Sequence, residues 1–140
     1  MDMESLFSTA LGISTPWFVK SIKFDLKSKR LDLIIDFIKG SKFTFEDDCG
    51  VNQHPVYDTQ EKEWRHLNFF EHECYLQVRV PRIKLPDGSV RLIQPPWSGL
   101  QNGFTLLFET LVLHLAKHMP VHQVAQLIHS SDHKIWSILD

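Results

Sequence analysis

Three features of the 140-residue chain predict an α+β fold. Apolar and polar residues alternate with period two in two separate stretches, Ile22 to Phe37 and Trp64 to Val80, each interrupted by a short polar turn. From Phe104 onward the apolar residues recur with a period near 3.6, the signature of an amphipathic helix. Between these regimes lies Gln94-Pro95-Pro96-Trp97-Ser98-Gly99, which suits neither a strand nor a helix. The expected organisation is therefore a β-rich unit over residues 1–98 and a helical unit over residues 99–140.

The elements follow in order. Leu6, Phe7, Ala10 and Leu11 fall at helical spacing, and Gly12 stands where a helix end favours a positive φ, so Glu4 to Leu11 is expected to be a short helix. Ile22, Phe24 and Leu26 alternate with polar neighbours, Lys27 to Arg30 form a turn, and Leu31, Leu33, Ile35 and Phe37 resume the alternation as a first hairpin. Glu46 to Lys62 is polar and holds Pro55, which reads as a long loop. A second hairpin pairs Trp64, His66 and Asn68 with Leu76, Val78 and Val80 across a polar break at Glu71 to Glu73. Its opposite face carries Arg65 and Arg79, continued by Arg82 and Lys84. Pro86 to Ser89 makes a further turn before a short strand at Val90 to Ile93.

In the helical unit, Phe104, Leu107, Phe108, Leu111, Leu115 and Met119 form one apolar stripe, with Pro120 stopping that helix or starting the next. Val121, Val124, Ala125 and Ile128 predict a second, shorter helix. Ser131 is a candidate N-cap for a third, with Ile135, Ile138 and Leu139 facing inward.

Composition bounds the function. A hydrophobic content of 43% suits a globular protein. The net charge of −2 gives no global footprint of nucleic-acid binding, so any such role rests on local charge. Residues 62–91 hold six Lys/Arg against four Asp/Glu and form the one net-basic segment. No apolar run approaches the ~20 residues of a membrane span, and the acidic start is unlike a secretory signal, so a cytoplasmic protein without membrane contact is expected. Cys49 and Cys74 read as free thiols.

Chemistry-bearing patterns are sparse. His114, His118 and His122 are spaced by four, but the glutamate of H-E-x-x-H is missing and Pro120 intervenes, so they read as boundary residues and not ligands. Asp32 and Asp36 read as the solvent side of a strand, and Asp47-Asp48 lacks a partner base. No phosphate-binding glycine loop or nucleophile elbow occurs. No catalytic residue, metal ligand or cofactor is expected.

The most informative constellation is Val121 to Leu139. A helix-turn-helix needs a small residue where its helices touch, an apolar set behind the turn and a polar start to the second helix. Ala125, the set Val124, Ile128, Ile135 and Ile138, and the run Ser130-Ser131-Asp132-His133-Lys134 meet these needs, although His129 replaces the usual turn glycine. A plain three-helix packing module has the same spacing.

The motifs W-R-H-L at Trp64, Y-L-x-V-R-V-P-R at Tyr75, F-T-L-L-F-E at Phe104, V-A-Q-L-I at Val124 and K-I-W-S-I-L at Lys134 together resemble the N-terminal region of insertion-sequence transposases of the ISL-three family. That resemblance implies a zinc ribbon followed by a helix-turn-helix and then an acidic-triad catalytic domain. The two hairpins then become a degenerate zinc-ribbon-like sheet. In the family two C-x-x-C pairs hold a structural zinc. Here Glu46, Cys49, Leu85 and Gly88 stand at the four places, so no metal is expected. The catalytic domain would lie beyond these residues, and the chain alone is expected not to cut or join DNA.

The resemblance implies binding to the double-stranded DNA of transposon ends. Expected backbone contacts are Arg65, Arg79, Arg82, Lys84 and Arg91, and expected recognition-helix contacts are Ser131, Asp132, His133, Lys134 and Ser137. Ending at Asp140, that helix would be barely two turns long, so the helical unit is expected to be truncated. The rival expectation is a repurposed interaction module that self-associates, as a homo-oligomer, or binds another protein.

Overall fold

The computed structural model describes residues 3–99 and 103–139. Leu100 to Asn102, just beyond the expected unit boundary, and Asp140, the end of the expected recognition helix, lie outside the described residues. The elements run α1 (Met3–Leu11), β1 (Trp17–Asp25), β2 (Arg30–Phe37), β3 (Lys42–Asp47), β4 (Gly50–Pro55), β5 (Asp58–Phe69), β6 (His72–Lys84), β7 (Val90–Leu92), α2 (Leu106–Ala116), α3 (Val121–Ile128) and α4 (Asp132–Leu139). The class is α+β, as the two periodicities imply. No helix among the described residues is long and apolar enough to cross a membrane.

The main sheet has the order β1-β2-β6-β5, with β7 added along the end of β6. Three of its pairings are antiparallel, but β2 and β6 run parallel, with Leu31 beside Cys74 and Ile35 beside Val78. A parallel pair needs a crossover, and here β3, β4 and β5 supply it. This crossover turns the two expected hairpins into one sheet.

The segment expected to be a long loop, Glu46 to Lys62, is instead mostly strand. It holds the end of β3, all of β4 and the first half of β5, and β3 and β4 form a separate two-stranded ribbon. The ribbon's turn is set locally. Asp47 Oδ1 accepts the Cys49 amide at 2.9 Å, and Gly50 takes φ 105°, which a side chain would strain. Only Phe43 and His54 are buried in this ribbon; Phe43 and Phe45 alternate with polar residues in β3, but β4 has no such pattern.

Two apolar clusters result. The first gathers Leu31, Leu33, Ile35, Cys74, Leu76, Val78 and Val80 from the sheet's inner face under Phe7, Trp17, Phe43, Trp64 and Ile93. Trp17 is its hub, with ring centroids 5.9 Å from Phe37, 5.6 Å from Phe43 and 5.0 Å from Trp97. Burial pushes the Cys74 thiol up to about 12, whereas Cys49 is exposed at the ribbon turn, and both are free.

The second cluster contains Phe104, Phe108, Val112, Val124, Ala125, Ile128, Ile135 and Ile138, with Leu67 of β5 packed against it. Helix α2 begins two residues later than the stripe suggested, because Phe104 is drawn into a parallel bridge with Arg65 and Thr105 takes the N-cap, accepting the Phe108 amide at 3.3 Å. That shift moves Leu107 outward to 55% exposure and puts Val112 inside. Leu139, expected inward, is also exposed.

Candidate nucleic-acid interface

Helices α3 and α4 pack through Ala125, Val124, Ile128, Ile135 and Ile138, all buried. The connection is tight although it lacks glycine. His129 takes φ 56°, ψ 51°, and the amides of His129 and Ser130 both donate to the Ala125 carbonyl. A left-handed histidine is strained relative to glycine. Two partners offset that strain: Arg65 Nη1 donates to the His129 carbonyl at 3.2 Å, and His129 Nδ1 lies 3.1 Å from Glu73 Oε2, with Glu73 itself an ion-pair partner of Arg65 at 3.6 Å. Burial works against ionisation of Glu73. The contacts with His129, Tyr75 and Arg65 nevertheless hold its carboxyl below the usual range.

Ser131 caps α4, its Oγ accepting the Lys134 amide at 3.3 Å. Because Ile135 and Ile138 fix the helix rotation, Asp132, His133, Lys134, Trp136 and Ser137 are left exposed. Ser137 Oγ donates to the Lys134 carbonyl at 2.5 Å, and Lys134 Nζ lies 5.4 Å from the Phe104 ring. The sequence reasoning missed Trp136, whose side chain is 51% exposed on the outer face. The buried pair at 135 and 138 was the available signal.

A cleft of about 550 Å³ lies where the start of α4 meets the sheet, lined by Arg65, Tyr75, Phe104, His129, Ser131 and Lys134. Arg65 itself is not a surface contact. Its side chain is 7% exposed and its guanidinium stacks 4.9 Å from the Phe108 ring. The sequence alternation placed it on the outer face of β5, but the helical unit docks over that place.

The other expected backbone contacts stay at the surface, largely engaged by carboxylates. Arg79 is paired with Asp36 at 3.2 Å and Arg82 with Asp58. Lys84 lies 5.5 Å from the Tyr57 ring, and Arg91 is exposed beside the ribbon turn. Parallel pairing brings Asp32 and Asp36 of β2 onto the face of Gln77 and Arg79, and the register adds Glu61 and Glu63 of β5. On that face Lys23, Arg30, Arg65 and Arg79 lie among Asp25, Asp32, Asp36, Glu61, Glu63 and Glu73, so on the face expected to be partly basic the carboxylates outnumber these cations.

The two turns that would carry zinc ligands do approach one another. Cys49, Asp47 and Glu46 face Leu85, Asp87 and Arg91 across a cleft of about 370 Å³. The chemistry does not fit a structural zinc. Leu85 is 6% exposed and belongs to the apolar core, Arg91 brings a positive charge, and among the described residues no group of three or more His, Cys, Asp or Glu could hold a metal. His114 and His118 only stack on each other, 5.2 Å apart.

His66 links the two units. It is buried on the inner side of β5, with Nδ1 2.7 Å from Thr105 Oγ1. Thr105 Oγ1 also accepts the Phe108 amide, so this one hydroxyl joins the His66 ring to the first turn of α2. Burial lowers the His66 pKa below its ordinary value of 6.5. As pH falls through about 6.5 the unfolded chain takes up this proton before the native one does. Stability from His66 is therefore fully present above that pH and lost as pH drops toward the lower native value. Melting temperatures measured from pH 7.5 to 5 should fall, and His66→Gln should remove part of the fall; an unchanged profile would exclude this linkage.

Comparison with known families gives two matches in chain order. Residues 48–86 match the zinc-finger of transposase IS204/IS1001/IS1096/IS1165, and residues 93–140 match the helix-turn-helix domain of transposase family ISL3. The second match spans α2, α3 and α4, and the first runs from the β3–β4 turn through β4, β5 and β6 to Pro86. No curated protein and no solved structure matches significantly.

Proposed function

Because the chain carries, in order, the zinc-ribbon and helix-turn-helix regions of ISL3-family transposases, we propose that it is the end-recognising part of such a transposase, binding the double-stranded DNA of transposon ends without itself performing strand chemistry. The observation that carries this reading is the α3–turn–α4 unit. Two short helices are clamped through His129 so that the start of α4 presents Ser131, Asp132, His133, Lys134, Trp136 and Ser137 outward. Such a helix start is the part that enters a major groove. The helical unit, 99–140, supplies base contacts, and the β-rich unit, 1–98, holds it in place. Of the expected backbone contacts on the sheet, Lys84 and Arg91 form no ion pair among the described residues and suit phosphates best. Arg79 and Arg82 would first have to leave their carboxylates.

One observation favours the rival, self-association: Leu113, Leu127 and Trp136 leave apolar surface exposed on the helical unit. Binding to terminal-repeat and scrambled duplexes, measured against salt, separates the two. DNA binding gives a linear fall of log affinity with log salt, about 0.9 per phosphate neutralised, and a preference for the repeat. Lys134→Ala should flatten that slope by about one unit if it contacts a phosphate, or relax the preference if it reads a base. Association of the chain with itself and no salt-dependent DNA binding would replace the proposal with the rival.

A further inference from the structure

The tip of the β5–β6 hairpin has a side chain that the fold does not explain. Phe69 pairs with His72, leaving Phe70 and Glu71 as a two-residue turn, and Phe70 sits at its first position with φ 54°. Such turns favour glycine or asparagine there, because a positive φ crowds any larger Cβ. A phenylalanine at this place is strained, and it is also 86% exposed, touching among aromatic rings only Phe69 at 4.9 Å. The strain costs stability, and the exposure leaves it without a burial gain to offset it.

The neighbouring β1–β2 turn stands beside it. The Glu73 amide donates to the Lys29 carbonyl at 2.9 Å, and Lys29 pairs with Glu71 at 3.3 Å. That turn exposes Leu26 at 76%, next to Lys27, while Asp25 is folded back onto the amides of Lys27 and Ser28. Both tips belong to the end of the sheet that holds the helix-turn-helix, since Glu73, three residues from Phe70, grips His129. At ~3.3 Å per residue the backbone of Phe70 is on the order of 10 Å along the strand from Glu73, which holds the connection leading into α4.

We propose that this paired tip is a second DNA-contacting element, in which Phe70 acts as an apolar wedge in the minor groove beside the site of α4, with Leu26 alongside and Lys27 on a flanking phosphate. The proposal rests on the DNA-binding reading and adds a mode of contact to it. Phe69 and Phe24, ringed behind Phe70, are 37% and 42% exposed, so Phe70 and Leu26 are what projects from the tip, and a narrow projection suits a groove better than the ~800 Å² per partner of a stable protein interface. A single phenylalanine is sufficient to part a base step and kink a duplex. The step it parts would be a pyrimidine–purine step, which unstacks at least cost.

The test uses the 140-residue chain and a duplex of about 30 base pairs with a central TA step, end-labelled to report bending. Phe70→Gly should raise the melting temperature by about 2–4 °C by relieving the turn, yet weaken binding about 10- to 100-fold and abolish bending. Phe70→Leu should keep part of both DNA effects. Phe70→Gly that binds and bends as the parent does, or that loses melting temperature together with affinity, would overturn the wedge. Loss of self-association with intact DNA binding would overturn it too, in favour of a protein contact. Lys134→Ala separates the two readings: if binding remains sensitive to Lys134 in the Phe70→Gly variant at undiminished affinity, only the wedge is wrong. If the parent binds no DNA, the proposed function fails and the wedge with it.

Discussion

Ile135→Ala is expected to lower stability by about 2–5 kcal/mol and to abolish DNA binding while leaving the sheet folded. Ile135 is fully buried between α4 and the rest of the second cluster. Helices α3 and α4 have only eight residues each, far below the ~12–15 at which an isolated helix becomes stable, so their order comes from packing. Removing three methyl or methylene groups at the centre of that packing takes away transfer energy and leaves a cavity that short helices cannot fill. Against a whole-protein stability of about 5–15 kcal/mol, this is enough to melt the helical end first. Far-ultraviolet dichroism should lose helix at low denaturant, while the near-ultraviolet signal of Trp17, Trp64 and Trp97 persists. Leu139→Ala, at a side chain 37% exposed, should cost well under half as much. Equal effects at the two positions would contradict the packing described.

Part of this architecture could be read in the sequence because it follows from local rules. The alternation through Leu31–Phe37 and Leu76–Val80 reports the inner face directly, and Ser131 marks the start of α4 by the hydrogen bond it makes. The β3–β4 ribbon was hidden for an equally physical reason. In β3 Phe43 and Phe45 do alternate with Lys42, Thr44 and Glu46, but β4 leaves Val51, Asn52 and Gln53 in water and shows no matching pattern, so the second strand of the ribbon gives no signal. The parallel pairing of β2 with β6 depends on residues about forty apart, beyond the reach of any local pattern.

The candidate surface was legible along α4 and misleading along the sheet. Side chains on a strand alternate reliably, so Arg65 and Arg79 do share one face. What alternation cannot give is what lies against that face. Asp36 arrives beside Arg79 from β2, and Phe108 arrives over Arg65 from α2. Local charge in sequence, net basic over residues 62–91, thus became a charge-compensated surface in space. Phe70 is the opposite case: its burial was never implied, and only its φ shows that it occupies a glycine's place.

Arg65→Ala should destabilise by about 2–4 kcal/mol, because it removes several interactions that no neighbour can replace. The His129 carbonyl loses its donor, Glu73 loses an ion-pair partner, and the Phe108 ring loses the stacked guanidinium. Nε and Nη2 of Arg65 find no hydrogen-bond partner among the described residues, so part of the cost of burying this arginine is already borne by the fold. Arg65→Met, which keeps volume and loses charge, should therefore cost less than Arg65→Ala. Arg65→Lys should not rescue, since an ammonium cannot both reach the carbonyl and stack flat on Phe108. A double-mutant cycle with Glu73→Gln should show coupling of about 0.5–3 kcal/mol. Amide exchange at His129 and Ser130 should quicken in every Arg65 variant, as the strained turn loses its clamp. Since Arg65 is covered by the helical unit and touches no phosphate, these variants should weaken binding to all duplexes alike while the salt slope stays fixed. A slope that falls by about one unit with an unchanged melt would return Arg65 to the DNA surface and show that the helical unit lifts away from the sheet on binding.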